Sequence, residues 1–229
     1  MRRTIELSAL ALAASLGLPA MSAAAQVPEQ SKTAGQIFAD AMAATSKVKD
    51  FHVSGRIVQG SQLVVLNLSM SKTGGGGSVQ VKGATLELVD NQKYLYMKAD
   101  AASWKIFSGG QAGASAAQLL ANKWLKVPVG NPSFSSFANF TFSDKFLAEM
   151  TAGKHRLVKG GVTTYGGRPA VALTDTLRTG KIYIALSSPH YLLGIAADNA
   201  SGKGSVQFTD FGDAPMPATP LHAITLPGA

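Results

Sequence analysis

Residues 50–70 decide the fold, and they read DFHVSGRIVQGSQLVVLNLSM. Apolar side chains recur at every second position in both halves of this stretch. Such a period places alternate side chains on opposite faces of a β-strand, whereas a helix repeats about every 3.6 residues. The stretch therefore predicts two neighbouring strands whose apolar faces are formed by Phe51, Val53, Gly55 and Ile57 and by Val64, Leu66, Leu68 and Met70.

The same alternation continues toward the C-terminus as an antiparallel meander. Four consecutive glycines at residues 74–77 predict a flexible turn after the second strand. Trp104 and Ile106 predict a further short strand at the end of the meander. Between these two points the apolar pairs with a period of two are Val79 and Val81, Leu86 and Leu88, and Leu95 and Met97.

An amphipathic helix precedes these strands. Thr33 and Gln36 have the spacing of a capping box, in which each side chain bonds to the other residue's backbone N–H at the start of a helix. The spacing of the apolar residues that follow is helical. These residues are Ile37, Phe38, Ala41, Met42, Thr45 and Val48.

The middle of the chain predicts a helical lid that is rich in phenylalanine. Residues 133–140 and 143–150 predict two short helices, the second of which is capped by Ser143. Half of the ten Phe lie in this region, at Phe134, Phe137, Phe140, Phe142 and Phe146. The alanine-rich residues 111–122 predict a preceding helix with a buried stripe formed by Ala116, Leu119 and Leu120.

Strands resume after the lid and complete an α+β fold. Gly166-Gly167 has the composition of a two-residue hairpin turn. Pro215, Pro217 and Pro220 end the last strand in a short Pro-containing tail. We expect about nine to eleven antiparallel strands with helices inserted in two places, because the chain lacks the strand–helix alternation of a parallel sheet.

The N-terminus predicts export from the cytoplasm. Arginines at residues 2–3 precede an apolar stretch, and Ala23 and Ala25 match the small residues required at a signal-peptide cleavage site. The stretch is shorter than the ~20 residues that a membrane-spanning helix needs. We therefore expect residues 1–25 to be a signal peptide and residues 26–229 to form one domain, periplasmic, in the cell envelope or secreted, without a lipid anchor.

The composition excludes several kinds of chemistry. The 229 residues contain no Cys, which excludes disulfides, thiolate metal sites, thiol catalysis and lipid attachment through an N-terminal cysteine. Lys and Arg number 21 against 13 Asp and Glu, and the net charge of +8 favours an anionic partner or membrane surface. The basic residues are scattered singly, so we expect no nucleic-acid binding.

No catalytic residue, metal site or cofactor is predicted. Ser46 and Lys49 form S-x-x-K and Lys72 begins K-T-G, which occur together in penicillin-recognising serine enzymes. No S-D-N lies between them, and the spacing is too short. The four His are isolated, without a second metal ligand at short spacing. We therefore expect that the protein is not an enzyme.

Four short motifs occur in an order that resembles a known family. They are VKDFH at 48–52, YLYMK at 94–98 before Trp104, YGG at 165–167 before PAVAL, and FTDFG at 208–212. In this order they resemble the LppX/LprG family of actinobacterial envelope lipoproteins and, more distantly, the LolA-like lipoprotein carriers. Members of that family carry a lipidated cysteine, which this chain lacks.

The resemblance implies a strongly curved antiparallel sheet, or half-open β-barrel, whose concave side is covered by helices around an apolar cavity for acylated lipids. We therefore expect an exported carrier of lipids or other long apolar molecules. The family has no short ligand motif, so the periodicity of this chain alone suggests the cavity lining: Val64, Leu66, Leu68, Met70, Leu86, Leu88, Leu95, Met97, Leu119, Leu120, Trp124, Phe134, Phe137, Phe140 and Phe146.

Two other hypotheses remain open at this point. The same apolar residues could fill a solid core, in which case the fold would serve as an interaction or stress-sensing module of the envelope with a protein partner. A hydrolase would instead require a Ser, a His and an acid within hydrogen-bond reach.

Overall fold

The described strands form one large curved sheet that does not close into a barrel. The computed structural model describes residues 31–59, 62–107, 114–199 and 202–225. The strands are β1 (Asp50–Gln59), β2 (Gln62–Ser71), β3 (Gly74–Val81), β4 (Ala84–Asp90), β5 (Tyr94–Lys98), β6 (Leu125–Pro128), β7 (Leu157–Tyr165), β8 (Arg168–Asp175), β9 (Gly180–Ala185), β10 (Leu192–Asn199), β11 (Gly202–Thr209) and β12 (Ile224–Thr225). Their order across the sheet is β12-β6-β5-β4-β3-β2-β1-β11-β10-β9-β8-β7.

Helices occur before β1 and between β5 and β7. They are α1 (Ala34–Ser46), α2 (Ala101–Phe107), α3 (Ala114–Leu120), α4 (Ser135–Asn139) and α5 (Ser143–Thr151). This architecture confirms the predicted α+β half-barrel. The predicted strand count is one too low, because β12 is a two-residue strand that pairs in parallel with β6 and has no local sequence signal.

The apolar residues of neighbouring strands share one face, as predicted. Directly paired residues in antiparallel strands point to the same side of the sheet. Leu68 pairs with Val53 in β1 and with Gly77 in β3. Leu88 then pairs with Gly77 and with Met97. We call this side, which the helices cover, the inner face, and the opposite side the outer face.

Two local predictions are confirmed. Thr33 caps α1 in a complete capping box with Gln36. Gly166 and Gly167 form the two-residue turn between β7 and β8, and both have positive φ. Both signals are local, because a cap and a tight turn are specified by the residues that form them.

The four glycines at residues 74–77 lie inside β3, so the predicted flexible turn at this place is wrong. The chain turns earlier, at Lys72 and Thr73. A Cβ atom at Gly77 would collide with the carbonyl oxygen of Asn67 in β2, and the φ of Gly77 is +140°. These glycines therefore permit close approach between backbones, which is one of the known uses of glycine in a strand.

Trp104 and Ile106 lie in α2, so the predicted strand here is wrong. The carboxylate of Asp100 accepts the backbone N–H of Ser103 at 2.6 Å and so starts the helix. The indole N–H of Trp104 donates to the carbonyl oxygen of Leu120 at 3.2 Å. Two apolar residues at a spacing of two are too few to distinguish a strand from a helix.

The buried stripe predicted for the next helix is wrong at two positions. Ala117 is fully buried, whereas Ala116 is exposed and Leu119 is 62% exposed. The side of α3 that is buried is the one that packs against α2. The helix is also shorter than predicted, and residues 111–113 of the predicted span lie outside the described residues.

Ser143 does not cap α5, contrary to the prediction. The N-cap residue is Phe142, and no side-chain hydrogen bond caps the helix. The backbone of Phe142 instead forms a parallel bridge with Ser71 at the end of β2. A tertiary contact therefore replaces the local cap that the sequence suggested.

The C-terminal residues 210–225 cross the outer face, and we call them the strap. The carboxylate of Asp50 in β1 accepts the backbone N–H of Ala214 at 2.8 Å. Pro217 lies against Gly76 in β3. The strap then ends as β12, where Ile224 pairs with Leu125 of β6.

The predicted signal peptide at residues 1–25 lies outside the described residues. The extent of the predicted domain, residues 26–229, remains a prediction. Within the described ranges, no helix is both long enough and apolar enough to cross a membrane.

The glycine strand yields a stability prediction. Gly77→Ala should lower the free energy of unfolding by about 2 to 3 kcal/mol, because the new Cβ meets backbone that cannot move aside cheaply. Gly161→Ala is the matched control, since no atom lies near its Cβ position, and its effect should stay within about 0.5 kcal/mol. Urea unfolding measures both values, and equal effects would contradict the close-approach explanation.

Candidate functional site

An apolar surface covers the inner face of strands β2 to β6. Val64 lies at its edge and is half-buried. The structure brings Val64 and the other strand residues predicted to line the cavity into one continuous cluster. Its fully covered members, each 4% exposed or less, are Leu66, Leu68, Met70, Leu86, Leu88, Leu95 and Met97.

Side chains of the helical cover pack on this surface without becoming fully buried. Phe134, Phe137, Phe140 and Phe146 are half-buried and contact the same core cluster, as does Leu120. Their burial contrasts with that of the strand residues, many of which have no exposed surface at all. The predicted helical lid that is rich in phenylalanine is therefore present, and part of its apolar surface remains exposed.

Aromatic pairs connect the cover to the sheet and the cover helices to each other. The ring of Phe146 lies 6.2 Å from that of Phe208 in β11, and Phe208 lies 5.5 Å from Phe51 in β1. Phe107 of α2 meets Phe137 of α4 edge-on at 6.0 Å. Tilted and edge-on pairs each add about 0.5 to 1.5 kcal/mol beyond the burial of their area.

Helix α1 covers the other half of the inner face. It packs against β7, β9, β10 and α5. The buried hydroxyl of Thr45 accepts the backbone N–H of Leu192 at 3.0 Å and donates to the carbonyl oxygen of Ala41 at 2.8 Å. This side of the sheet is therefore held to its helix by a hydrogen bond as well as by the buried Ile37.

A buried polar junction attaches the lid to the sheet. Asp90 at the end of β4 and Thr141 between α4 and α5 are both buried. One carboxylate oxygen of Asp90 accepts the backbone N–H of Gln92 at 2.8 Å, and the other lies 3.2 Å from the hydroxyl of Thr141. Burial raises the pKa of Asp90, against the opposing effects of these two hydrogen bonds and the nearby charge of Lys145.

The second partner of Thr141 explains why a neutral Asp90 suits this junction. The Thr141 hydroxyl lies 2.7 Å from the carbonyl oxygen of Ala138, which can only accept a proton. A hydroxyl has one proton to donate. When Asp90 is protonated, it can donate to Thr141 while Thr141 donates to Ala138, so that every group in the chain of bonds is satisfied.

The structure does not bring Leu119 and Trp124 to the inner surface. Leu119 points to solvent on the exposed side of α3. Trp124 lies with its ring 5.2 Å from the ammonium of Lys98 and lines an outer-face pocket of about 270 Å³ with Asn67 and Glu87. Leu119 precedes a turn and Trp124 follows it, and the sequence pattern does not specify the direction of that turn.

Three pockets with described linings lie away from the lid phenylalanines. The largest, about 570 Å³, lies at the ends of β8, β9 and β10 and includes Tyr183 and Lys181. The other two, about 400 and 270 Å³, adjoin Trp124 and the strap. The role of the inner-face residues as the lining of a ligand cavity therefore remains a prediction.

A serine–histidine pair occurs on the outer face, but it lacks the acid that a hydrolase requires. His52 Nδ1 lies 3.1 Å from the hydroxyl of Ser69, and its Nε2 lies 2.8 Å from the amide oxygen of Asn67. An amide carries no charge to stabilise an imidazolium. Ser69 is also only 3% exposed. These contacts are those of neighbouring residues on paired strands.

A second histidine contact was not foreseen from the sequence. His155 Nδ1 lies 2.7 Å from the carboxylate of Asp175, and the ring packs against Phe38 of α1 at 5.5 Å. Burial opposes the ionisation of Asp175, but the bonds from His155 and three backbone N–H groups hold its pKa below the usual value. Among the described residues, no group of three or more His, Asp and Glu could hold a metal ion.

Comparisons with known proteins identify similar folds. No protein family model matches the chain, and no curated protein sequence matches it. The crystal structure of lipoprotein LppX from Mycobacterium tuberculosis is 14% identical, with a TM-score of 0.48, over 78% of this chain and 94% of that chain. LprF from Mycobacterium bovis is 15% identical, with a TM-score of 0.48, over 81% of this chain and 96% of that chain.

A LolA superfamily protein from Nitrosomonas europaea is more distantly similar. It is 12% identical, with a TM-score of 0.21, over 81% of this chain and 95% of that chain. These solved structures include members of the two groups, LppX/LprG and LolA-like, that the sequence motifs resemble. The similarity is one of fold alone.

The junction yields a pH prediction. Asp90→Asn should raise the free energy of unfolding at pH 7 by about 1 kcal/mol, because the amide can donate to Thr141 and accept from Gln92 without a buried charge. The folded-state pKa of Asp90 is raised. The wild type therefore gains stability from this group as the pH falls through that value, and the difference should shrink in acid.

Urea unfolding between pH 3.5 and pH 7 tests this expectation. Asp213→Asn provides the control, because Asp213 is exposed on the strap. A less stable Asp90→Asn variant at pH 7, or a difference that grows in acid, would show that Asp90 acts as a charged group.

Proposed function

We propose that this protein is an exported lipid-binding protein that holds acyl chains between the inner face of its sheet and its helical cover. The main support is the contrast between fully buried strand residues and the half-buried phenylalanines above them. A cover that packs on an apolar surface while its own rings stay partly exposed leaves area that a guest can bury.

The physical need for such a protein follows from the cost of exposing acyl chains to water. Each methylene contributes about 0.8 kcal/mol, so a chain of about 16 carbons favours a shielded site by about 12 kcal/mol. Lipids that cross an aqueous compartment therefore require a protein that covers their chains.

The cover has the properties of a lid that can separate from the sheet. Its helices α2 to α5 are five to nine residues long, and helices below about 12 residues are marginal without tertiary packing. Apart from the hydrogen bonds at Thr141 and Ser103, their position therefore depends on apolar contacts that a guest can replace. We infer that the packed inner face is the closed, cargo-free arrangement and that acyl chains enter under the half-buried phenylalanines.

The proposed lining consists of the seven fully buried strand residues, Val64, Leu120 and the four half-buried lid phenylalanines. We assign no lining role to Leu119 or Trp124, since one is exposed and the other lies on the outer face. The net charge of +8 would favour anionic headgroups or membrane surfaces. Export rests on residues 1–25, whose sequence has the pattern of a signal peptide.

The packing of the inner face also favours a second candidate. Phe51, Leu68 and Leu88 have no exposed surface, as expected for a solid core. In that case the fold would be a non-enzymatic interaction module with a protein partner and no cargo.

Lipid extraction and fatty-acid uptake test the first proposal. Mature protein purified under mild conditions should release acyl-containing lipids into organic solvent, identified by mass spectrometry, and should take up a fluorescent fatty acid. The double variant Phe137→Ser and Phe140→Ser should bind that fatty acid at least about tenfold more weakly, because it loses two contacts worth more than about 1.4 kcal/mol together.

Leu177→Ser with Leu221→Ser is the matched control, since these side chains are 52% and 94% exposed outside the lid. It should bind like the wild type, and circular dichroism checks that both variants fold. Absence of both extracted lipid and fatty-acid uptake in the wild type would reject the carrier and favour the interaction module.

A further inference from the structure

Strand β7 forms an exposed edge of the sheet. β7 is the last strand in the sheet order, and no other described strand pairs with its far side. Residues 158–164 are exposed without interruption on both faces, and Val158 and Val162 are 52% and 66% exposed. Such an edge presents a row of backbone N–H and C=O groups that can pair with another strand.

Positive charge is concentrated around this edge. Residues 152–182 carry six Lys and Arg and a single acidic residue, so this segment holds a net charge of +5 out of the +8 of the chain. The acid is Asp175, which is 2% exposed and bonded to His155. Its negative charge therefore does little to neutralise the exposed Lys and Arg.

Three of these cations stand at the two ends of the edge, and a fourth lies near one of these ends. Lys154 and Arg156 precede β7, Lys181 lies on the outer face two strands away, and Arg168 follows the hairpin turn. All four are exposed, and none forms an ion pair with a described carboxylate. A strand laid along β7 would have cations near both of its ends.

A groove beside the edge offers room for side chains of such a strand. It has a volume of about 570 Å³ and is lined by Thr174, Lys181 and Tyr183, among others. Thr174 pairs directly with the exposed Val158, so the groove adjoins the outer face of β7. An acidic side chain in this groove would meet Lys181, and an apolar one would meet the ring of Tyr183.

The same features disfavour a second copy of this chain as the occupant. Two β7 edges brought together would juxtapose like charges, which is destabilising between paired strands. An acidic strand is attracted where a second copy is repelled.

A membrane surface satisfies the cations but not the backbone of the edge. Open sheet edges are not found in the hydrocarbon of a bilayer, because their N–H and C=O groups would lack partners there. An extended peptide satisfies both requirements, since it pairs with the backbone and can carry carboxylates.

We propose that β7 is a docking edge for an extended acidic segment of a partner protein, which adds to the sheet as a thirteenth strand. Carboxylates of the segment pair with the cations around the edge, and its backbone continues the ladder beyond β7. This inference concerns the outer edge and does not depend on an apolar cargo.

A synthetic peptide tests the proposal with the mature protein. The probe is a fluorescent ten-residue peptide in which Glu and Val alternate, compared with a Lys and Val peptide and with a Glu and Val peptide that is N-methylated at alternate residues. The first should bind at least about tenfold more tightly than either control and should weaken with added salt. Hydrogen exchange should show new protection of amides in β7 on binding.

Charge reversal locates the site. The triple variant Lys154→Glu, Arg156→Glu and Lys181→Glu should lose at least about tenfold in peptide affinity. The matched control reverses Lys72, Lys82 and Lys123, which are exposed elsewhere, and should lose much less for the same change in net charge.

The proposal would be overturned by equal binding of the N-methylated peptide, by equal losses in the two triple variants, or by no protection of β7 on binding. Binding to vesicles that contain phosphatidylglycerol without binding of the acidic peptide would assign the cations to a membrane instead, and would also overturn it. The N-methylated peptide and hydrogen exchange use the wild type, so the test stands even if a variant fails to fold.

Discussion

Close backbone contact through β3 is the constraint on which the arrangement of the lid depends. On the inner face, a Cβ atom at Gly75 would lie 3.0 Å from the carbonyl oxygen of Thr141, the residue that joins α4 to α5. On the outer face, Pro217 of the strap lies against Gly76. The glycine half of this strand is thus contacted on both faces, and a larger residue at either position would displace the lid or the strap.

The polar groups at this point make the attachment specific. Asp90 and Thr141 are buried together, and an unsatisfied buried polar group is costly, so the junction is stable only with Thr141 in place. The bridge between Ser71 and Phe142 adds a backbone contact at the same end. A second attachment lies in α2, where the hydroxyl of the buried Ser103 accepts the backbone N–H of Thr85 in β4 at 3.2 Å. The rest of the lid packs on the sheet mainly through apolar contacts, which specify no unique position. The lid therefore has two polar attachments to the sheet, at Thr141 and at Ser103, and adaptable apolar contacts around them.

Sequence periodicity predicts the part of this structure that is locally encoded. The alternation at Val64, Leu66 and Leu68 specifies an apolar face because the period of two is a property of the strand itself. The glycines of β3 have a turn-like composition, and their role becomes visible only when Thr141 and the strap are in place. His155 and Asp175 lie 20 residues apart and meet through the pairing of β7 with β8. Contacts that depend on which strands become neighbours have no signal in a local window.

Under the proposed function, the binding energy of an acyl guest depends on the balance between lid contacts and acyl burial. A fully buried phenylalanine contributes about 1.5 to 3 kcal/mol, so four half-buried rings contribute roughly 3 to 6 kcal/mol to holding the lid closed. An acyl chain of about 16 carbons gains about 12 kcal/mol on leaving water, and it also offers the rings a new apolar surface. In the proposed complex, the guest would therefore replace the apolar contacts that are lost when the lid opens, provided that Asp90 and Thr141 keep the lid attached. The burial of an acyl chain would not supply enough free energy to open a lid that is held by many buried hydrogen bonds. A lid without any attachment to the sheet would not close again over its guest.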